Sequence, residues 1–212
     1  MFPLLLLFLA TLVATSQAQG DHIHLLLPQS DARKYDIPSL SCPSWHLAME
    51  TNNTVGFETV PKECENYVEQ YMSGDQYKKD SAVIIDLALR YARNLKLDGD
   101  GKDIWVFDID ETTLSNLPYY AKHGYGTEPT DTTSMKEWFE ESDAPALPAS
   151  LKLYNELLRL ELKVAFLTGR SESLKDATEI NLKKSGYTKW EKLILKGSES
   201  PSKLSNVEIQ IK

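Results

Sequence analysis

Ile104-Trp105-Val106-Phe107 is an apolar run rich in β-branched and aromatic side chains, and it leads straight into Asp108-Ile109-Asp110-Glu111-Thr112. The run reads as a buried strand that delivers two acids at its C-terminal end. Residues two apart on an extended segment project to the same side, so both carboxylates can converge on one point beyond the strand. Open α/β sheets keep their sites at that end. A plainer alternative is a strand followed by a helix start, with Asp110 or Thr112 as N-cap, since a bare Asp-x-Asp often arises by chance.

The segments around this strand alternate in the way a parallel sheet requires. Pro148 suits the first turn of a helix running to about Leu160, with Leu151, Tyr154, Leu157 and Leu158 facing the core. A second strand follows at Lys163 to Leu167 and ends in Thr168-Gly169-Arg170, where a hydroxyl and a glycine can hold phosphate oxygens. The next helix is expected from Ser171 to Ser185, stopped by Gly186, and Lys192 to Leu195 reads as a third strand. Residues 113–147 are longer than a simple crossover needs, and a small cap over the acids is their expected role. His123, alone among glycines, reads as a loop residue rather than a catalytic one.

Upstream, Cys42 to Glu50 reads as a short helix, and Pro61 opens a helical region that breaks near Gly74 and resumes from Gln76. Val83, Ile84, Leu87, Ala88, Tyr91 and Leu95 keep helical spacing and are expected to form the stripe that faces the core. Asp98-Gly99-Asp100-Gly101 reads as a turn; a calcium loop would need ligands and a closing Glu that the spacing does not supply.

Residues 4–13 form an apolar run too short to span a bilayer and placed at the very N-terminus, which reads as a signal peptide over 1–18. Ser16 and Ala18 stand at −3 and −1 of a cut after Ala18. No later segment is apolar enough to cross a membrane, so a secreted or lumenal chain without membrane attachment after cleavage is expected. In that compartment the two cysteines, Cys42 and Cys64, are expected to pair, which would stabilise by about 3 kcal/mol in the chain-entropy view. Asn52-Asn53-Thr54 between them is an N-glycosylation sequon at Asn52. The net charge of −8, with no basic cluster, argues against nucleic acid as partner. A hydrophobic content of 42% suffices for one core, and the oligomeric state, a homodimer included, stays open.

Asp108-Ile-Asp-Glu-Thr after an apolar strand resembles the first motif of the haloacid dehalogenase superfamily of phosphotransferases, and Thr168 with Gly169 stands in the order and context of its second. The longer string from Asp108 through Leu114-Ser115-Asn116-Leu117-Pro118-Tyr119-Tyr120 to Gly126, with flanks from the Cys42–Cys64 region to Leu195-Lys196-Gly197, resembles the plant acid phosphatases and vegetative storage proteins of that superfamily. The resemblance implies a Rossmann-like parallel sheet with a helical N-terminal subdomain and a small cap, over residues 19–197. It implies acid phosphatase activity on small phosphate monoesters in a secreted or vacuolar setting, with Asp108 as nucleophile and Asp110 as acid and base. It further implies phosphate contact by Thr168 and Gly169, support of the turn by Thr112, and Mg2+ held by Asp108 and Asp110. Storage members often lose the nucleophilic aspartate, whereas this chain keeps Asp108, which favours the phosphatase over the alternative of a non-catalytic storage protein.

The resemblance departs after Gly197. A phosphate-neutralising Lys and an acidic segment that completes the magnesium site are expected there, but residues 198–212 contain no Asp, and the neighbours of Lys203 do not match. The tail 198–212 therefore reads as divergent or alternatively ended, although Val207 to Ile211 alternates like a strand. On this reading the C-terminal strands and a third protein ligand to Mg2+ are missing and activity is impaired. The acid-bearing strand would then be left at an exposed sheet edge, where aggregation is a hazard.

Overall fold

A computed structural model describes residues 41–53, 57–97 and 99–197. The expected signal peptide and divergent tail lie outside the described residues.

The helical N-terminal part comprises α1 (Cys42–Glu50), a 3-10 turn at Lys62–Cys64, α2 (Glu65–Ser73) and α3 (Asp75–Asn94). Cys42 and Cys64 are joined by a disulfide with Cα atoms 5.5 Å apart, which ties α1 to the entry of α2. Beside it His46 of α1 meets Tyr67 and Tyr71 edge-on, and its Nδ1 lies 2.9 Å from the Tyr67 hydroxyl. The break at Gly74 has a steric cause: a Cβ there would stand 2.5 Å from the Gln70 carbonyl oxygen.

Tyr71 donates its hydroxyl to Asp80 Oδ2 at 2.9 Å, and burial, that hydrogen bond and the nearby negative charge push its phenol up to about 12. A phenol whose folded pKa lies above the unfolded value near 10 contributes stability that is fully present below about pH 10. That contribution is lost as pH rises through about 12. The stability advantage of the wild type over Tyr71→Phe is accordingly expected to shrink across that window, read as converging urea midpoints. A constant gap would mean that the phenol ionises alike in both states.

The expected core stripe of α3 is corrected by the structure. Of its members Ala88 does pack against the core, but Val83, Ile84, Leu87 and Tyr91 are exposed, and Leu89, Ala92 and Ile85 take the inner face instead. Residues 83–92 are apolar at almost every position, so two overlapping stripes satisfy the helical period. Packing against α6 (Pro148–Arg159) selects between them, and charged partners mark the chosen face: Lys152 pairs with Asp86 at 3.1 Å and Arg93 with Glu156 at 3.5 Å.

The sheet has the order β1-β2-β3 and is parallel throughout: β1 (Ile104–Asp108), β2 (Lys163–Ser171) and β3 (Lys192–Lys196). Phe107 pairs with Phe166 and Asp108 with Leu167, so the acids of β1 end level with the approach to Thr168. Trp105, Phe107, Val164 and Phe166 point to the helical face, where Leu153, Tyr154, Leu157, Leu182 and Tyr187 complete the core. Ile104, Val106 and Leu167 on the other face are exposed, and β1 is an edge of the sheet among the described residues. β2 runs on to Ser171 with a register break after Leu167, and a 3-10 turn (Glu172–Leu174) precedes α7 (Lys175–Lys184), so that helix begins later than its sequence suggested. Gly186 has the left-handed φ of +96° that a helix stop at this position requires, and Leu151 crowds the space a Cβ would occupy.

Between β1 and α6 lie α4 (Leu117–Lys122), a 3-10 turn (Gly124–Gly126) and α5 (Thr132–Glu141). Asp131 caps α5 by accepting from the Thr133 amide at 2.9 Å, and Met135 and Trp138 bury its inner face. No described helix is long and apolar enough to cross a membrane.

Candidate active site

The loop after β1 is held from several sides, which fixes where the acids point. The Ile109 carbonyl accepts from the Thr113 and Leu114 amides at 2.9 Å each, the Thr113 hydroxyl donates to the Asp108 carbonyl, and the Thr113 carbonyl accepts from Tyr187 Oη at 3.0 Å. Glu111 takes a left-handed φ of 54°, and the Asn116 amide donates to its carboxylate. Neither Asp110 nor Thr112 caps a helix; α4 opens at Asn116 without a side-chain cap, so the plain capping alternative is not what the chain builds.

Asp108 ends β1 with its side chain exposed, and Oδ2 accepts from Thr112 Oγ1 at 3.2 Å. Asp110 is half-buried and gathers four donors. Asn116 Nδ2 lies 2.9 Å from Oδ1, Thr168 Oγ1 lies 3.4 Å from Oδ2, Arg170 Nη2 reaches Oδ1 at 2.7 Å, and Arg170 Nε lies 3.2 Å from both oxygens. The Arg170 side chain is only 1% exposed and lies over the Phe139 ring at 4.0 Å, with Nη1 donating to Thr178 at 3.3 Å. A planar fork on a carboxylate, with its flat face on an aromatic ring, is the geometry guanidinium suits best.

The structure thus brings Asp108, Asp110, Thr112 and Thr168 together at the ends of two adjacent strands. Gly169 follows at the same end, with nothing within 4 Å of where a Cβ would stand, so an approaching anion meets open space there. His123 is elsewhere: it stacks on Tyr119 at 4.0 Å and its Nδ1 lies 2.7 Å from the Tyr119 carbonyl oxygen. Asn52 is exposed just after α1 with φ 59°, a conformation asparagine tolerates. Sequence reasoning missed Arg170 and Asn116 as members of the site. Arg170 had a signal, as a charge placed directly after the threonine and glycine, but nothing in its spacing showed that it folds back onto Asp110.

The local field is negative. The carboxyl end of Glu111 turns inward, and its desolvation holds the group above the usual carboxylate range, with the Asp110 charge adding to the rise and the Asn116 N–H opposing it. Tyr77 and Tyr120 are raised chiefly by burial, and the charge of Glu111, joined at Tyr120 by that of Asp110, contributes. Among the described residues no three His, Cys, Asp or Glu side chains form a metal-binding group. Mg2+ needs less than that, since it is commonly held by one or two carboxylates with water and substrate phosphate completing the octahedron. The exposed Asp108 carboxylate fits such a minimal set, whereas the Asp110 carboxylate is occupied by Arg170 and Asn116.

The sequence pattern of the HAD superfamily, subfamily IIIB (Acid phosphatase), matches residues 31–210. The chain belongs to this family. Among the relatives of this acid phosphatase family member, the "Stem 28 kDa glycoprotein" of Glycine max is 44% identical over 200 residues, covering 93% of this chain and 77% of that one. "Acid phosphatase 1" of Solanum lycopersicum is 48% identical over 164 residues, covering 77% and 64%. "Vegetative storage protein 1" of Arabidopsis thaliana is 44% identical over 169 residues, covering 79% and 62%. The match thus spans under two thirds of the length of the latter two. In fold, the chain is similar to the class C acid phosphatase of Bacillus anthracis, with a TM-score of 0.54 at 21% identity, covering 66% of this chain and 60% of that one. This subfamily IIIB chain is therefore an α/β protein of the phosphatase branch of the superfamily.

Proposed function

We propose that this chain hydrolyses small phosphate monoesters by way of an aspartyl-phosphate. The observation that carries the reading is the exposed carboxylate of Asp108 at the end of β1, set beside an Asp110 carboxylate whose four donors hold it in one orientation.

In the first step an Asp108 carboxylate oxygen forms a bond to phosphorus in line as the bond to the ester oxygen breaks. The electron pair leaves on that oxygen, and Asp110 is the group placed to supply the proton it needs. In the second step Asp110 takes a proton from water, whose oxygen attacks phosphorus, and the Asp108 carboxylate is released with inorganic phosphate. The Thr168 hydroxyl and the open backbone at Gly169 hold the non-reacting phosphate oxygens. Mg2+ would be held by the Asp108 carboxylate and the Asp110 carbonyl oxygen, and its charge would offset the repulsion between phosphate and the carboxylates. Residues 113–147 act as the cap that limits the ester group.

The relatives' names and the disulfide support a secreted or vacuolar setting, entered through a signal peptide over 1–18, with glycan carried at Asn52. A second reading, a storage protein that keeps the site by descent, is favoured by the want of a third metal-binding side chain among the described residues.

The deciding experiment is phosphate release from p-nitrophenyl phosphate by the purified chain. Release that needs Mg2+ and falls at least about tenfold when EDTA removes it is expected, the loss of one charge-stabilising group being worth that much or more. No release at any Mg2+ concentration would favour the storage reading.

A further inference from the structure

We infer that Trp138 and Phe139, neighbours on α5, are positioning residues for Asp110 and act through Asn116 and Arg170. This inference rests on the phosphatase reading for its kinetic consequence, but its structural content does not.

Two separate chains of contact run from α5 to one carboxylate. Trp138 Nε1 donates to Asn116 Oδ1 at 2.9 Å, and Asn116 Nδ2 donates onward to Asp110 Oδ1 at 2.9 Å. Asn116 is 2% exposed, and an indole can only donate, so the amide is fixed in the one orientation that leaves its NH2 for Asp110. The second route begins at Phe139, whose ring lies under the Arg170 guanidinium at 4.0 Å. Thr178 fixes one edge of that guanidinium and Asp110 takes the other, so the ring face closes the remaining side. Both intermediaries are buried, which makes their hydrogen bonds hard to replace with water.

A carboxylate held from two sides by adjacent residues of one helix reads the position of that helix. α5 meets Asn116 and Arg170 directly, so its docking and the aim of Asp110 become one event. Displacing an acid by about 1 Å can cost about 10²-fold in rate, and the loss falls where the proton is needed.

The test uses Trp138→Phe, which removes the N–H and keeps a ring, and Phe139→Leu, which removes the aromatic face and keeps bulk. kcat/KM is compared for phenyl phosphate, whose leaving group needs a proton, and p-nitrophenyl phosphate, whose leaving group needs it little. Each variant is expected to lose about tenfold or more on phenyl phosphate and less than about threefold on p-nitrophenyl phosphate. An equal loss on both esters, or none, would overturn the inference, because a merely structural role does not distinguish leaving groups.

An activity-free measurement accompanies it. In 1H–15N spectra of the wild type, the Arg170 Nε–H and the Asn116 side-chain amide should exchange slowly with water. Phe139→Leu should speed exchange at Arg170, and Trp138→Phe should do so at Asn116. If the wild type hydrolyses neither ester, the phosphatase reading falls, and these signals alone decide: faster exchange upholds the coupling, and unchanged exchange in both variants rejects it.

Discussion

Asp108→Asn is expected to abolish phosphate release while leaving the fold intact. The side chain is exposed and its one hydrogen bond within the site is accepted from Thr112 at 3.2 Å, which an amide oxygen can accept equally well. Urea unfolding should therefore place the variant within about 0.5 kcal/mol of the wild type, as for other surface substitutions. Chemistry gives no such latitude. An amide oxygen carries no charge to attack phosphorus and is a poorer ligand for Mg2+. Retained turnover in a folded Asp108→Asn protein would mean that another group attacks, and water activated by Asp110 would be the first to consider.

Arg170→Met is expected to damage stability and turnover together. The guanidinium is the buried member of its ion pair, at 1% exposed, and Asp110 is the wetter one at 31%. Removing one partner of a buried pair costs about 3–5 kcal/mol, and the solvent that reaches Asp110 places this case toward the lower end. The variant also takes away three of the contacts that aim Asp110, so the residual rate should fall by about 10²-fold or more. Denaturant unfolding and phosphate release measure the two effects separately. A double-mutant cycle with Asp110→Asn should recover part of the stability loss, since the second change removes the carboxylate left without its partner. A destabilisation below about 1 kcal/mol would mean that water already satisfies Asp110 in the wild type.

The parts of this molecule that local chemistry decides were legible in its sequence. Ile104 to Phe107 read as a strand delivering two acids at its end, and the β1–β2 pairing and the meeting of Asp110 with Thr168 agree with that, although only Phe107 of the run is buried and Ile104 and Val106 are exposed. Gly74 and Gly186 marked their breaks because each answers a local steric demand. Tertiary choices were not legible. α3 carries two apolar stripes, and nothing within the helix says that α6 will take the one bearing Asp86 and Arg93. The path of Arg170 back across the strand ends depends on a hydroxyl from α7 nearby in the chain and on a ring from α5, a segment far upstream of it. Asn116 was hidden for the same reason, since a single asparagine acquires its meaning only when Trp138 arrives.

The left-handed backbone at Glu111 has a consequence for how this chain could be improved or could drift. An L-residue with a side chain at φ 54° holds about 1–2 kcal/mol of conformational cost that glycine would not. Yet its carboxylate is what fastens the backbone N–H of Asn116, the same residue whose side chain aims Asp110. Selection for robustness alone would therefore favour glycine at position 111, and selection for a well-aimed acid would oppose it. The strained glutamate is a place where thermal endurance and catalytic precision pull one codon in opposite directions.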